Sequence, residues 1–225
     1  MGKRAFVDFW IRPRDVDVAK KMCERAVKLG YSALVVEASK PMLEELKSDV
    51  KGYGLELYSK AVVSVRARSD VLEAAVKFRH NHDVLTMQCL TRDAALVALR
   101  DGRVDTVALR PSDLMTFDRH MLSVTRNSIE LMLVDAISDV AALQKMRSLV
   151  RFIDIKGLSV VFSSSASSPV EQRGPFEAAC LINALGLNFE RSLDALSTVP
   201  LNILFRNRAK LSGKMVQEGV WFVEG

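Results

Sequence analysis

The chain has 225 residues, 49% hydrophobic and 26% charged, which predicts a sizeable core and excludes an extended disordered chain. Lys and Arg outnumber Asp and Glu by 32 to 27, a formal charge of +5. That bias admits a polyanionic partner without demanding one.

Short β-branched runs alternate with amphipathic stretches. Ala5–Ile11 reads as a first strand, and Val16–Leu29 carries apolar residues at helical spacing until Gly30 stops it. Ser32–Val36 is a buried strand and Pro41–Val50 a helix with Pro in its first turn. Strand Leu55–Val65 follows the Gly52-Tyr53-Gly54 turn, then a helix Asp70–Arg79 with Asp70 as its cap. Strand Val84–Gln88, helix Arg92–Asp101 and strand Thr106–Leu109 come next, then helix Asp118–Asn127 and strand Ile129–Val134. A helix over Ser138–Ile153 leads to strand Leu158–Phe162. Helices Gly174–Leu185, Phe189–Leu196 and Leu201–Leu211 close the body, and the apolar Val220–Val223 predicts that the tail from about 212 to 225 docks on the body or on a partner.

Seven strands, each followed by a helix, predict a parallel sheet buried on both faces. The count favours a closed TIM-like (β/α) barrel over an open sheet, one domain over residues 1–225, irregular at its C-terminal end where an eighth strand would lie. The run Ala5–Ile11 is interrupted by Asp8 and too short for a signal-peptide core, and no stretch of about 18 apolar residues offers a membrane span. The expectation is a cytoplasmic protein with no membrane partner. Cys23, Cys89 and Cys180 lack metal-ligand spacing and sit among apolar residues, so all three read as buried, reduced thiols.

The segment Ser163-Ser164-Ser165-Ala166-Ser167-Ser168-Pro169 directly follows a strand, and in a parallel barrel the loops there form the functional face. Small hydroxyl residues ahead of a helix offer free backbone N–H groups to a phosphate, with Arg173 as a fixed cation at the same edge; the bland alternative is a flexible polar loop. His80 and His82 form an HxH, but it falls at a helix end, where His complements the helix dipole, and no metal site is expected. Asp8, Glu37 and Glu130 lie in or near strands with no His, Lys or second carboxylate at a telling spacing, so Asp8 and Glu130 read as structural barrel carboxylates. His120 reads as a surface or half-buried side chain. Basic residues gather in three groups: Lys3, Arg4, Arg12 and Arg14; Lys60, Arg66 and Arg68; Arg206, Arg208, Lys210 and Lys214. Each suits a solvated face or phosphate contacts. Aromatics make up only 7%, which points away from a base-stacking single-strand binder; any RNA contact would be to backbone and shape.

In the order of these features the chain resembles the archaeal and eukaryotic ribonuclease P protein component 3 family, the barrel subunit. The residues that carry the resemblance are Phe6-Val7-Asp8; Asp118, opening a helix that leads to Ile129-Glu130-Leu131; Phe162-Ser163-Ser164-Ser165-Ala166 followed by Arg173-Gly174-Pro175; and Thr198-Val199-Pro200 into Asn202–Arg208. Glu177 stands where many members have Asp, and Arg110–Phe117 lies outside the resemblance. The resemblance implies a barrel related to metal-dependent phosphoesterases but without their metal ligands, since Asp8-Phe9-Trp10 occupies the position of their histidines. It implies a role in removing the 5′ leader of precursor tRNA, with the chemistry belonging to the RNA subunit and its Mg²⁺. The chain itself would hold no catalytic residue, metal or cofactor. Implied partners are ribonuclease P RNA, protein component 2, other ribonuclease P proteins and, indirectly, precursor tRNA. Ser164, Ser165, Arg173, Arg206, Arg208 and Lys210 are the implied RNA or partner contacts. Two other readings stay open: a free-standing barrel phosphoesterase using Asp8 and Glu130, and a barrel scaffold that binds only proteins.

Overall fold

Parallel strands need cover on both faces, and the strands here are buried at most positions, so the sheet curls on itself inside a layer of helices. The computed structural model describes residues 4–109, 119–138, 140–217 and 220–221. Seven parallel strands form one sheet in sequential order: β1 (Phe6–Ile11), β2 (Tyr31–Val36), β3 (Glu56–Val65), β4 (Val84–Cys89), β5 (Thr106–Ala108), β6 (Ser128–Met132) and β7 (Val160–Ser163). Between them run α1 (Val16–Leu29), α2 (Lys40–Asp49), α3 (Arg68–Phe78), α4 (Arg92–Ala98), α5 (Arg119–Val124) and the pair α6 (Leu133–Ser138) and α7 (Val140–Lys156). After β7 come α8 (Pro175–Leu185), α9 (Phe189–Asp194) and α10 (Thr198–Leu211). One side-chain set of each strand, including Leu34, Leu57, Leu85, Ile129 and Phe162, packs against the helices. The alternate set, including Val7, Phe9, Val35, Tyr58, Val84 and Val161, fills the interior, and Ile203 and Leu204 of α10 join it. Helix α10 therefore caps the mouth at the strands' N-terminal ends.

Local sequence explains most boundaries. Asp15 caps α1 by accepting from Val18 N–H at 2.8 Å, and Gly30 ends it in the left-handed region at φ 93°. Helix α3 starts at Arg68, earlier than expected. Asp70 is not its cap but its third residue, and its carboxylate reaches back to the N–H groups of Arg66 and Ala67. The helix expected over Ser138–Ile153 is α7, and the short α6 precedes it because Leu133 turns helical directly after β6, ending at Met132 the strand expected to reach Val134. In the tail, β8 (Met215–Gln217) pairs antiparallel with β9 (Val220–Trp221); Phe222 and Val223 lie outside the described residues, as does Asp118. Cys23 and Cys89 are buried as expected, but Cys180 is exposed, because it falls on the outer face of α8 between the buried Ala179 and Ile182.

The irregular eighth position is filled by backbone rather than by a strand. Toward the N-terminal ends of β1 and β7, Val7 N–H donates to Leu196 O at 2.9 Å and Phe162 N–H to Ala195 O at 3.2 Å. Toward the other end, Ser165 N–H donates to Trp10 O and Arg12 N–H to Ala166 O, both at 2.9 Å. Ile11 and Ala166 form an isolated parallel bridge there. These bonds satisfy edge groups that would otherwise be orphaned where β1 meets β7.

Candidate functional site

Five consecutive strands contribute a buried polar side chain to one network inside the barrel: Lys60 on β3, Thr86 on β4, Thr106 on β5, Glu130 on β6 and Ser163 on β7. The Lys60 ammonium lies 2.6 and 2.8 Å from the two Glu130 oxygens and donates to Phe9 O at 2.9 Å. The faces of Phe9 and Trp10 stand 4.7 and 4.9 Å from it. Glu130 also accepts from Ser163 Oγ at 2.9 Å, Thr106 Oγ1 at 2.7 Å and Thr86 Oγ1 at 3.2 Å. Burial pulls the Lys60 ammonium down from its ordinary value of 10.5, while the attraction of Glu130 pulls it back up. With both side chains 0% exposed and the carboxylate's acceptor positions occupied, this network is closed to a substrate. Glu130, expected to be a structural carboxylate, is buried and hydrogen-bonded to side chains from four other strands. Lys60 departs from expectation: grouped with Arg66 and Arg68 as a surface cation, it is instead the partner that no spacing reveals, 70 positions from Glu130. The only local signal is parity, since Lys60 lies two residues from each of the inward-facing Tyr58 and Val62 and so shares their face of β3.

The serine segment is where the structure departs most from expectation. Ser163, Ser164, Ser165 and Ala166 are all buried. Ser164 N–H donates to Asp8 Oδ1 at 2.9 Å, Ala166 N–H to Ser164 Oγ at 3.1 Å, and Ser165 sits in the left-handed region at φ 53°. Arg12 Nε reaches Ser165 O at 3.1 Å and its guanidinium lies 5.9 Å from the centre of the Trp10 ring; Trp10 Nε1 donates to Glu37 Oε2 at 2.8 Å. The N–H groups expected to be free for a phosphate are therefore used in closing the barrel between β1 and β7. The physical reason is that short hydroxyl side chains bond their own backbone readily, so a serine run is buried at little cost. Asp8 takes part in the same seam: burial pushes its carboxyl up to about 6, against the lowering effect of the Ser164 bonds. Among the described residues, its Oδ2 and both side-chain polar atoms of the buried Gln172 have no hydrogen-bond partner.

Arg173 is exposed, but it does not sit beside the serines. A short 3₁₀ turn over Pro169–Glu171 intervenes, and the Arg173 carbonyl accepts from Tyr31 Oη at the start of β2. Its guanidinium folds back onto the Val170 and Gln172 carbonyls at 2.7 and 3.1 Å. The C-terminal basic group divides. Arg208 stacks 3.8 Å from the Tyr58 ring centre, donates to Leu57 O at 3.3 Å and lies 3.5–3.6 Å from Glu56 and Asp83, so it is a strut between α10 and the strand ends. Arg206 reaches Asp105 at 3.3 Å, and Lys210 is exposed. Serines and basic helix thus lie at opposite ends of the barrel and form no joint site. In the first basic group Arg4 is tied to Glu190 and Asp194 at 2.7 and 2.6 Å, and Lys3 lies outside the described residues.

Among the described residues no group of three or more His, Cys, Asp and Glu is placed to hold a metal ion. His82 turns its Nδ1 to Phe78 O at 3.3 Å, and His120 is exposed. No described helix is long and apolar enough to cross a membrane.

Comparison with known proteins adds independent findings. A family model described as RNase P subunit p30 matches residues 5–212. Ribonuclease P protein component 3 of Methanosarcina mazei is 25% identical over 244 aligned positions covering 100% of this chain and 98% of that protein. The protein of the same name from Methanothermobacter thermautotrophicus is 24% identical, with 88% of each chain covered. Among solved structures, a chain in a cryo-EM structure of archaeal ribonuclease P with mature tRNA superposes with a TM-score of 0.78 over 97% of this chain and 98% of that one, at 17% identity.

Proposed function

The chain belongs to the RNase P subunit p30 family, and on that premise we propose that it is a protein subunit of ribonuclease P that helps the catalytic RNA remove the 5′ leader of precursor tRNA. In this reading it acts in the cytoplasm with protein component 2, and the Mg²⁺ ions that carry the chemistry belong to the RNA. The observation that carries this division of labour is the sealed Lys60–Glu130 network. A barrel enzyme places its reactive groups where a substrate can reach them, whereas here the interior charges are neutralised against each other and against three hydroxyls. What the chain offers outward is rigid shape and exposed cations, Arg173 and Lys210 among them. We assign Ser164 and Ser165 to the seam that holds this shape rather than to the contact surface, since both are buried.

The test is capture of the tagged full-length protein from its native cells after mild crosslinking, with RNA sequencing and protein identification. Enrichment of ribonuclease P RNA and component 2 over a tag-only control is the expected result. Recovery of the chain with neither of them overturns the proposal.

A further inference from the structure

We propose that the end of the barrel capped by α10 carries a cleft that binds a backbone phosphate of the RNA, with Arg126, Asn202 and Arg206 as its donors. This rests on the functional reading above and locates one contact within it, at the end of the barrel opposite the serine loop.

The cleft has a volume of about 430 Å³ and lies between α10 and the segments that precede β5, β6 and β7. Val199, Asn202, Ile203 and Arg206 form its helical wall, at spacings that put them on one face of α10. Arg126, Asn127, Ser128, Ser159 and Asp105 form the other. Donors outnumber acceptors here. The exposed Arg126 has a fixed backbone, its N–H bonded to Leu99 O at 2.8 Å, yet its guanidinium forms no hydrogen bond or ion pair among the described residues. The Asn202 side chain is likewise exposed and unpartnered among them. Ser128 and Ser159 share one hydrogen bond at 2.7 Å, which uses one of their two hydroxyl protons and leaves the other to donate.

Arg206 is the telling residue. Its Nε is buried with no partner among the described residues, a donor that native structures seldom leave unsatisfied. Its one ion pair among them is with Asp105, at 3.3 Å through Nη2. That carboxylate is already committed: its other oxygen takes Arg79 and the Leu85 N–H, so one negative charge faces two arginines before Arg126 is counted. The cleft is therefore net positive, and its free donors come from two forked guanidinium groups on separate elements, an arrangement suited to an anion with several oxygens. A phosphate in an RNA backbone, recognised without reading bases, matches this chemistry and the scarcity of aromatics.

The experiment measures binding of the full chain, together with component 2, to ribonuclease P RNA from the same organism between 50 and 200 mM KCl. Removing one phosphate interaction lowers the slope of log K against log[salt] by about one, so that affinity falls about 3.5-fold less over that range. We expect R126Q and R206Q each to lower the slope in part and the double variant, which removes both guanidinium groups from the one phosphate, to lower it by about one unit. K28Q, at an exposed lysine in the last turn of α1, should leave it unchanged. R126Q breaks no described contact, and R206Q leaves Asp105 paired with Arg79, so unchanged unfolding curves accompany the expected result. A photoreactive group attached to the thiol introduced by N202C, in a C180S background, should crosslink to RNA in the assembled particle; crosslinking only to protein overturns the inference. Wild-type binding with an unaltered slope in the double variant overturns the cleft and leaves the function standing. Failure of the wild type to bind this RNA overturns the functional reading, and the cleft with it.

Discussion

Replacing Glu130 by Gln leaves the Lys60 ammonium inside the barrel with one carbonyl, Phe9 O, and two aromatic faces in place of its anion. Removing one partner of a fully buried pair costs about 3–5 kcal/mol, because the charge that remains is uncompensated. The structure orders the two single variants. In Glu130→Gln the lost charge is not replaced, and the amide cannot serve Lys60 and all three hydroxyls together, so the cost should lie in the middle of that range, about 4 kcal/mol. In Lys60→Met the carboxylate keeps the Ser163, Thr106 and Thr86 hydroxyls and can also take up a proton, so about 3 kcal/mol is expected. In the double variant no buried charge is left unpaired, and the total should fall to about 1–2 kcal/mol, a coupling of several kcal/mol between the sites. Urea unfolding at pH 7 measures all three against the wild type, with the m-value as a check that the same surface is exposed. Single-variant costs below about 1 kcal/mol, or a double variant as unstable as the sum of the two, would refute a sealed, mutually neutralising pair. Under the proposed function, the folded double variant should also stimulate the catalytic RNA to the same extent as the wild type.

Three further outcomes follow from the seam and the thiols. Burial raises the Asp8 carboxyl from 3.8 to about 6, so between those values the folded chain binds more protons than the unfolded one. Asp8's contribution is then full below about pH 4 and lost as pH rises through 6, a decline of about 3 kcal/mol for a two-unit shift; Asp8→Asn should remove that slope from the stability profile, and an identical profile would contradict it. At Ser165, held at φ 53°, glycine should change the unfolding free energy by less than about 1 kcal/mol, while the β-branched Ser165→Val should cost about 2 kcal/mol or more; equal effects would argue against a left-handed backbone there. An aromatic disulfide reagent should label Cys180 fast in the native protein. Cys23 and Cys89, whose thiols burial pushes to about 12, should react only on unfolding, and rapid labelling of either would show that its helix or strand opens readily.

What the sequence discloses is what local chemistry determines. The seven strands announce themselves by β-branched runs, and the helical repeat of α1 stops in sequence at Gly30, which the structure shows in the left-handed conformation that ends the helix. That Glu130 is buried is legible in its place within an apolar strand. What stays hidden depends on contacts across the fold. Lys60 looks like any surface lysine until β3 curls to face β6. The eighth position has no strand-like pattern to find, because the Ala195 and Leu196 carbonyls that fill part of it carry no side-chain signature. Serines read as an open loop by composition, yet they bury well once their hydroxyls and N–H groups bond to the chain itself. Arg208 looks like its neighbours Arg206 and Lys210, and only the Tyr58 ring beneath it makes it a strut.

In the proposed function this barrel supports a ribozyme and is not itself one half of the chemistry. Cleavage of a precursor tRNA should be timed with the catalytic RNA alone, with the RNA plus this chain and component 2, and with the proteins alone, each at limiting Mg²⁺. The protein pair should accelerate 5′ leader release by the RNA, and the proteins alone should release none. Leader release by this chain without any RNA subunit, or an RNA rate that the pair leaves unchanged, would contradict that division of labour.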